Sequence, residues 1–202
     1  MPKHQVPNGV LDQEKIDQLK SKLTPDEREM TDKIISHLQY FTSEQILSLV
    51  KQAFTQFLEQ KIDDYIVLLG DDKWGSEQWL CAELYSSGLC QPSRIVSDLS
   101  DLSPGSYDIV AIDDAIYSGT NMLILVDTAT IKLSDKLGVK QKELPAKYKF
   151  NIHLVTGIST DVDFSSYQED LGVKFSTYFA EKIQRVKDIF PTFGSSEWKL
   201  YN

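Results

Sequence analysis

Hydrophobic and polar positions along this chain follow two different rhythms. Before about residue 60 the apolar residues recur at helical spacing. Thr24-Pro-Asp-Glu27 has the form of a capping box, with Pro at the first helical position and acids in the first turn, and it predicts a helix carrying Ile34, Ile35, Leu38 and Tyr40. Thr42-Ser-Glu-Gln45 opens a second helix through Ile46, Leu49, Val50, Phe54 and Phe57. Ahead of both, the stretch from Met1 to about Asp12 holds Pro2, Pro7 and Gly9 and reads as a loose arm. After residue 60 short apolar runs take over. Tyr65–Leu69 is wholly apolar, Arg94–Ser97 is a weaker strand, Tyr107–Ile112 is a strong one, Phe150–Val155 is another and Val173–Ser176 a last short one. Between them, Ser76–Tyr85 has helical character. So does the segment from Asn121 onward, despite the β-branched Ile124, Val126, Thr128, Thr130 and Ile131.

Apolar strands buried on both faces and alternating with helices describe an α/β fold: a mainly parallel central sheet flanked by helices, with an N-terminal helical hairpin. The expected organisation is an arm and hairpin over residues 1–60 and an α/β core with a C-terminal tail over 61–202, or the two together as one domain. The length of 202 residues and the 41% hydrophobic content suit a globular protein. No apolar run approaches the roughly 20 residues that cross a bilayer, so no membrane partner is expected. The opening residues are polar and lack a signal pattern, which points to a cytoplasmic location. The formal charge is −9 and Lys and Arg are dispersed, which argues against nucleic acid. Cys81 and Cys90 read as two buried thiols, and His37 and His153 as core or surface histidines.

Two loops stand out, because ligands of a parallel sheet bind beyond the carboxyl ends of its strands. One is Gly70-Asp-Asp-Lys-Trp-Gly75. The other closes the string Ile109-Val-Ala-Ile-Asp-Asp-Ala-Ile-Tyr-Ser-Gly-Thr-Asn121. Asp113 and Asp114 at a strand end can accept hydrogen bonds from vicinal hydroxyls or hold a divalent cation. The loop that follows enters a helix, and its free N–H groups, Gly119 and the hydroxyls of Ser118 and Thr120 suit a phosphate monoester. Sugar hydroxyls beside a phosphate describe a ribose 5-phosphate.

This string resembles the signature of type I phosphoribosyltransferases, which bind 5-phosphoribosyl 1-diphosphate (PRPP). The likeness is close over Ile109 to Asn121 and extends in element order over roughly Tyr65 to Ser176. It implies that Asp113 and Asp114 hold the ribose hydroxyls and that Tyr117, Ser118, Gly119, Thr120 and Asn121 hold the 5-phosphate. It places Gly70, Asp71, Asp72, Lys73 and Trp74 where the family contacts the diphosphate, with Lys73 as the cation of that loop. The implied cofactor is Mg²⁺, with Asp113 and Asp114 as metal-binding candidates. It shields the diphosphate from the acids around Lys73. Asp113, Asp114 and Lys73 are the catalytic candidates. The implied activity is transfer of phosphoribosyl to a base with release of pyrophosphate. PRPP or a nucleotide is the expected partner, and a homodimer is left open.

Three features depart from the family pattern. Asn121 stands where Thr or Ser is usual, though its amide still donates to phosphate. Tyr117 replaces an acid that contacts the base in some purine enzymes. About ten residues separate Arg94–Ser97 from Tyr107–Val110, where the family usually carries a long mobile cover. Two other readings therefore stand beside the enzyme: a non-catalytic PRPP or nucleotide sensor, and a phosphate-handling α/β domain such as a receiver. The acid pair on a middle strand speaks against the receiver. The base-reading hood falls to the N-terminal helices or to Phe190–Trp198, neither with an assignable motif.

Overall fold

The computed structural model describes residues 12–37, 40–71, 75–116, 119–160, 162–165, 167–168 and 172–183. The chain divides into two compact units between Ser43 and Glu44.

The first unit contains α1 (Gln13–Ser21) and α2 (Pro25–His37). α2 begins with the capping box legible in the sequence. The backbone N–H and hydroxyl of Thr24 both donate to Glu27 Oε2 at 2.7 Å, and the Glu27 N–H returns to Thr24 Oγ1 at 3.4 Å. α1 is capped by Asp12, whose carboxylate accepts from the Lys15 N–H, and it buries no residue. An ion pair from Lys20 to Asp32 joins the two helices.

The second unit is the α/β core. It contains α3 (Ser43–Leu58), β1 (Ile66–Leu68), α4 (Ser76–Ser86), β2 (Arg94–Val96), β3 (Gly105–Ile116), α5 (Thr120–Leu137), a 3₁₀ turn at Gln141–Ala146, β4 (Tyr148–Ser159) and β5 (Lys174–Lys182). The five strands lie in the order β2-β1-β3-β4-β5, and every neighbouring pair is parallel. The mainly parallel sheet read from the sequence is therefore present. β3, β4 and β5 extend past the apolar runs, to twelve, twelve and nine residues, while β1 and β2, at three residues each, fall short of theirs.

Alternation along the strands sorts side chains onto two faces. Val67, Val110, Ile112 and Val155 pack with Val50, Ala53, Phe54 and Phe57 of α3 and Leu80, Cys81 and Leu84 of α4. Ile66, Leu68, Ile109, Ala111, Ile152 and Leu154 pack on the other side with Met122, Leu123, Val126, Ala129 and Leu133 of α5. α3, read in the sequence as the second arm of a hairpin, thus covers one face of the sheet. His153 sits in the core as expected, bonded to Asp108 at 2.9 Å and to the Tyr178 hydroxyl at 3.3 Å, with the Phe57 ring against it. Cys81 and Cys90 are buried free thiols. Among the described residues no helix is long and apolar enough to cross a membrane.

Strand order and strand length together place the site. From β1 the chain crosses to β2 on one side, then returns to β3 on the other. The reversal between β1 and β3 is a topological switch point, where the flanking loops diverge and leave a crevice. β1 ends at Leu68 opposite Ala111, whereas β3 runs on to Ile116. That continuation extends roughly 16 Å beyond the end of β1 at about 3.3 Å per residue.

Candidate functional site

Two adjoining cavities occupy this switch point. The larger has a volume of about 450 Å³. The loop after β1 (Gly70, Asp71), the start of α4 (Gly75, Ser76, Glu77), Ser97 after β2, Ile112 and Asp113 of β3, and one side of α5 from Asn121 to Lys132 line it. The smaller, about 70 Å³, lies at the amino end of α5 between Asp113, Ala115, Ile116, Gly119, Thr120, Asn121 and Met122. Asp113, Asn121 and Met122 belong to both.

Asp113 reaches this position because β3 continues through it, paired with Thr156 of β4. By strand alternation it shares the α5 side of the sheet with Ile109 and Ala111. Its Oδ1 accepts from the Ser76 hydroxyl at 2.7 Å and from the Asp114 N–H at 2.9 Å. Burial pushes its carboxyl up to about 6, against the Ser76 hydrogen bond, which favours the carboxylate; the neighbouring Asp114 adds to the rise. Asp114 is engaged by the backbone beside it. Its Oδ1 accepts from the Ala115 N–H at 2.8 Å, and among the described residues it lines neither cavity.

Gly119 caps α5 in the left-handed conformation, with φ +78°. A Cβ there would lie 2.7 Å from the Phe164 ring and 3.0 Å from Val162. Backbone sterics and packing therefore both require glycine at this turn. The turn places the amino end of α5, the positive end of its helix dipole, at the smaller cavity.

The structure brings Gly70, Asp71, Asp113, Gly119, Thr120 and Asn121 from the two loops into the lining of these two adjoining cavities. Asp72, Lys73, Trp74, Tyr117 and Ser118 lie outside the described residues, as does the Phe190–Trp198 tail. The sequence reading passed over Lys132, Ser76 and Glu77. Lys132 pairs with Asp71 at 2.8 Å across sixty-one positions of chain, a contact that no local pattern encodes.

The segment between β2 and β3 is short and tied down. Leu99 and Leu102 are buried, Asp98 accepts from the Ser100 N–H at 2.7 Å, and Lys136 pairs with Asp101 at 2.8 Å. Among the described residues no group of three or more His, Cys, Asp or Glu side chains converges on a metal-sized point. Magnesium does not need such a group, since it usually keeps several waters and takes one or two carboxylates together with ligand phosphates. Asp113, facing the crevice, fits that mode.

The sequence matches no protein-family model and no curated protein. Among solved structures the chain is similar to a hypoxanthine-guanine-xanthine phosphoribosyltransferase, at 12% identity and a TM-score of 0.37 over 70% of this chain and 75% of that one. It is also similar to an orotate phosphoribosyltransferase from Aeropyrum pernix, at 12% identity and a TM-score of 0.30 over 74% of this chain and 72% of that one.

Proposed function

We propose that this protein binds PRPP or a nucleoside 5-phosphate in the crevice between β1 and β3, and transfers the phosphoribosyl group to a base with release of pyrophosphate. The observation that carries the reading is the pair of adjoining cavities sharing Asp113 and Asn121. The small one, at the amino end of α5, suits a phosphate monoester. The large one accommodates the sugar and what it carries.

In this reading the N–H groups at Gly119–Asn121 anchor the 5-phosphate, and Asp113 accepts hydrogen bonds from ribose hydroxyls. Binding energy spent on the phosphate then fixes the position of the reacting carbon. As the bond to the diphosphate breaks, positive charge grows on the sugar, and the carboxylate of Asp113 stabilises it from within the crevice. Asp114, one residue along, contributes to the same negative field. A bound Mg²⁺ supplies charge neutralisation at the diphosphate, and Asp113 and the ligand's own oxygens would hold it.

A specific observation favours a second reading, a PRPP or nucleotide sensor without transfer. The segment 97–104 is pinned by Leu99, Leu102 and the Lys136–Asp101 pair, and a short pinned segment does not close over a reacting centre to exclude water. Incubation with PRPP, Mg²⁺ and a panel of nucleobases decides between them. Base-dependent pyrophosphate release supports the transferase, and saturable PRPP binding without release supports the sensor. Absence of binding removes both.

A further inference from the structure

Lys132 is the only basic residue among the described residues lining the large cavity, which also presents the carboxylates of Asp71, Glu77 and Asp113. It stands on α5, well past the stretch that resembles the family signature. Its ammonium is paired with Asp71, which belongs to the loop after β1, so the pair bridges the mouth of the crevice from one wall to the other. Asp98 adds a further negative charge nearby.

We propose that Lys132 forms an exchangeable anion subsite for the diphosphate end of the ligand, occupied in the free protein by the carboxylate of Asp71. The inference rests on the reading of the small cavity as the 5-phosphate site. Geometry supports it. Asn121 and Lys132 are separated by eleven residues of one helix, about 16 Å along its axis. A helical side chain leans back toward the amino end, so a long lysine shortens that gap to a span that suits a ribose bearing phosphates at both ends. Energetics support it as well. The Lys132 and Asp71 side chains are 38% and 67% exposed, and an ion pair so open to water contributes little to stability. A diphosphate brings more negative charge than one carboxylate, so it competes for the lysine and repels Asp71 from it. The Asp71 loop and α5 are then bridged by the ligand instead of by each other.

Calorimetric titration with ribose 5-phosphate and with PRPP, both with Mg²⁺, tests this on the wild type, Lys132→Met, Lys132→Arg and Asp71→Asn. Ribose 5-phosphate fills the small cavity but has no diphosphate. The expectation is that PRPP binds the wild type more tightly than ribose 5-phosphate. Lys132→Met should weaken PRPP by roughly tenfold or more while ribose 5-phosphate stays within about twofold, which also reports an intact fold. Lys132→Arg should keep most of the PRPP affinity, and Asp71→Asn should raise it. Equal loss of both ligands in Lys132→Met, or no loss of either, overturns the subsite. Wild type that binds ribose 5-phosphate with no preference for PRPP overturns the subsite and leaves the small cavity as a phosphate site. Wild type that binds neither overturns both.

Discussion

The hydroxyl of Ser76 donates a 2.7 Å hydrogen bond to Oδ1 of Asp113, joining the first turn of α4 to the last part of β3. This bond stabilises the carboxylate against the burial that raises its pKa to about 6. Removing it in Ser76→Ala shifts the titration of Asp113 upward. Ionised Asp113 accepts sugar hydroxyls better than the protonated acid, so wild-type affinity for ribose 5-phosphate should rise as pH passes through about 6. In Ser76→Ala that rise should be centred at higher pH. In Asp113→Asn only the ligand's own phosphate titration should remain. Superimposable pH profiles for the three proteins would refute this.

The same carboxyl links stability to pH. Between its ordinary value of 3.8 and about 6, folded Asp113 keeps a proton that the unfolded chain has lost. Its contribution is therefore fully favourable below 3.8 and is lost as pH rises through 6. Asp113→Asn removes the burden of an ionised buried carboxylate at neutral pH. Urea unfolding at pH 7.5 and pH 4 should show the variant gaining on wild type at the higher pH, by something on the order of 2 kcal/mol. An equal difference at both values would place Asp113 outside this account.

Single substitutions should divide the acid pair. Asp113 lines both cavities, while Asp114 is turned onto the Ala115 N–H. Asp113→Asn should weaken PRPP by roughly tenfold, the size of a lost charge-assisted hydrogen bond, and Asp114→Asn by less. Inorganic phosphate, which needs only the helix end, should bind both variants as it binds wild type. Parallel loss of phosphate and PRPP would instead indicate a structural role for the pair.

Gly119→Ala tests the phosphate turn. The left-handed backbone costs a non-glycine residue about 1–2 kcal/mol, and the new methyl meets the Phe164 ring at 2.7 Å. Thermal unfolding should show a clear loss, and ribose 5-phosphate affinity should fall. Adding Phe164→Ala relieves the collision but not the backbone strain, so the double variant's turn should remain a poor phosphate site. Unchanged affinity in Gly119→Ala would move the ligand elsewhere.

Much of this arrangement was legible in the sequence, because it is written locally. The runs at Tyr65–Leu69 and Tyr107–Ile112 are rich in β-branched and apolar residues and contain β1 and part of β3, and Thr24–Glu27 caps a helix through its own side chains. What escaped is set by distant partners. β3 continues through Asp113 and Asp114 because β4 offers a ladder beside it, not because acidic residues favour strands. α1 buries nothing, so it left no apolar stripe to read. The Lys132–Asp71 pair depends on α5 running back beside the loop after β1, which only the folded chain arranges.

β1 stops at Leu68 while its neighbour β3 carries on to Ile116. The hollow above β1 is therefore a step in the main chain, left where one strand is shorter than its neighbour. The depth of the hollow is set by backbone, and the side chains along its walls set what it can hold. Such a site is free to change its chemistry while the architecture beneath it stands still.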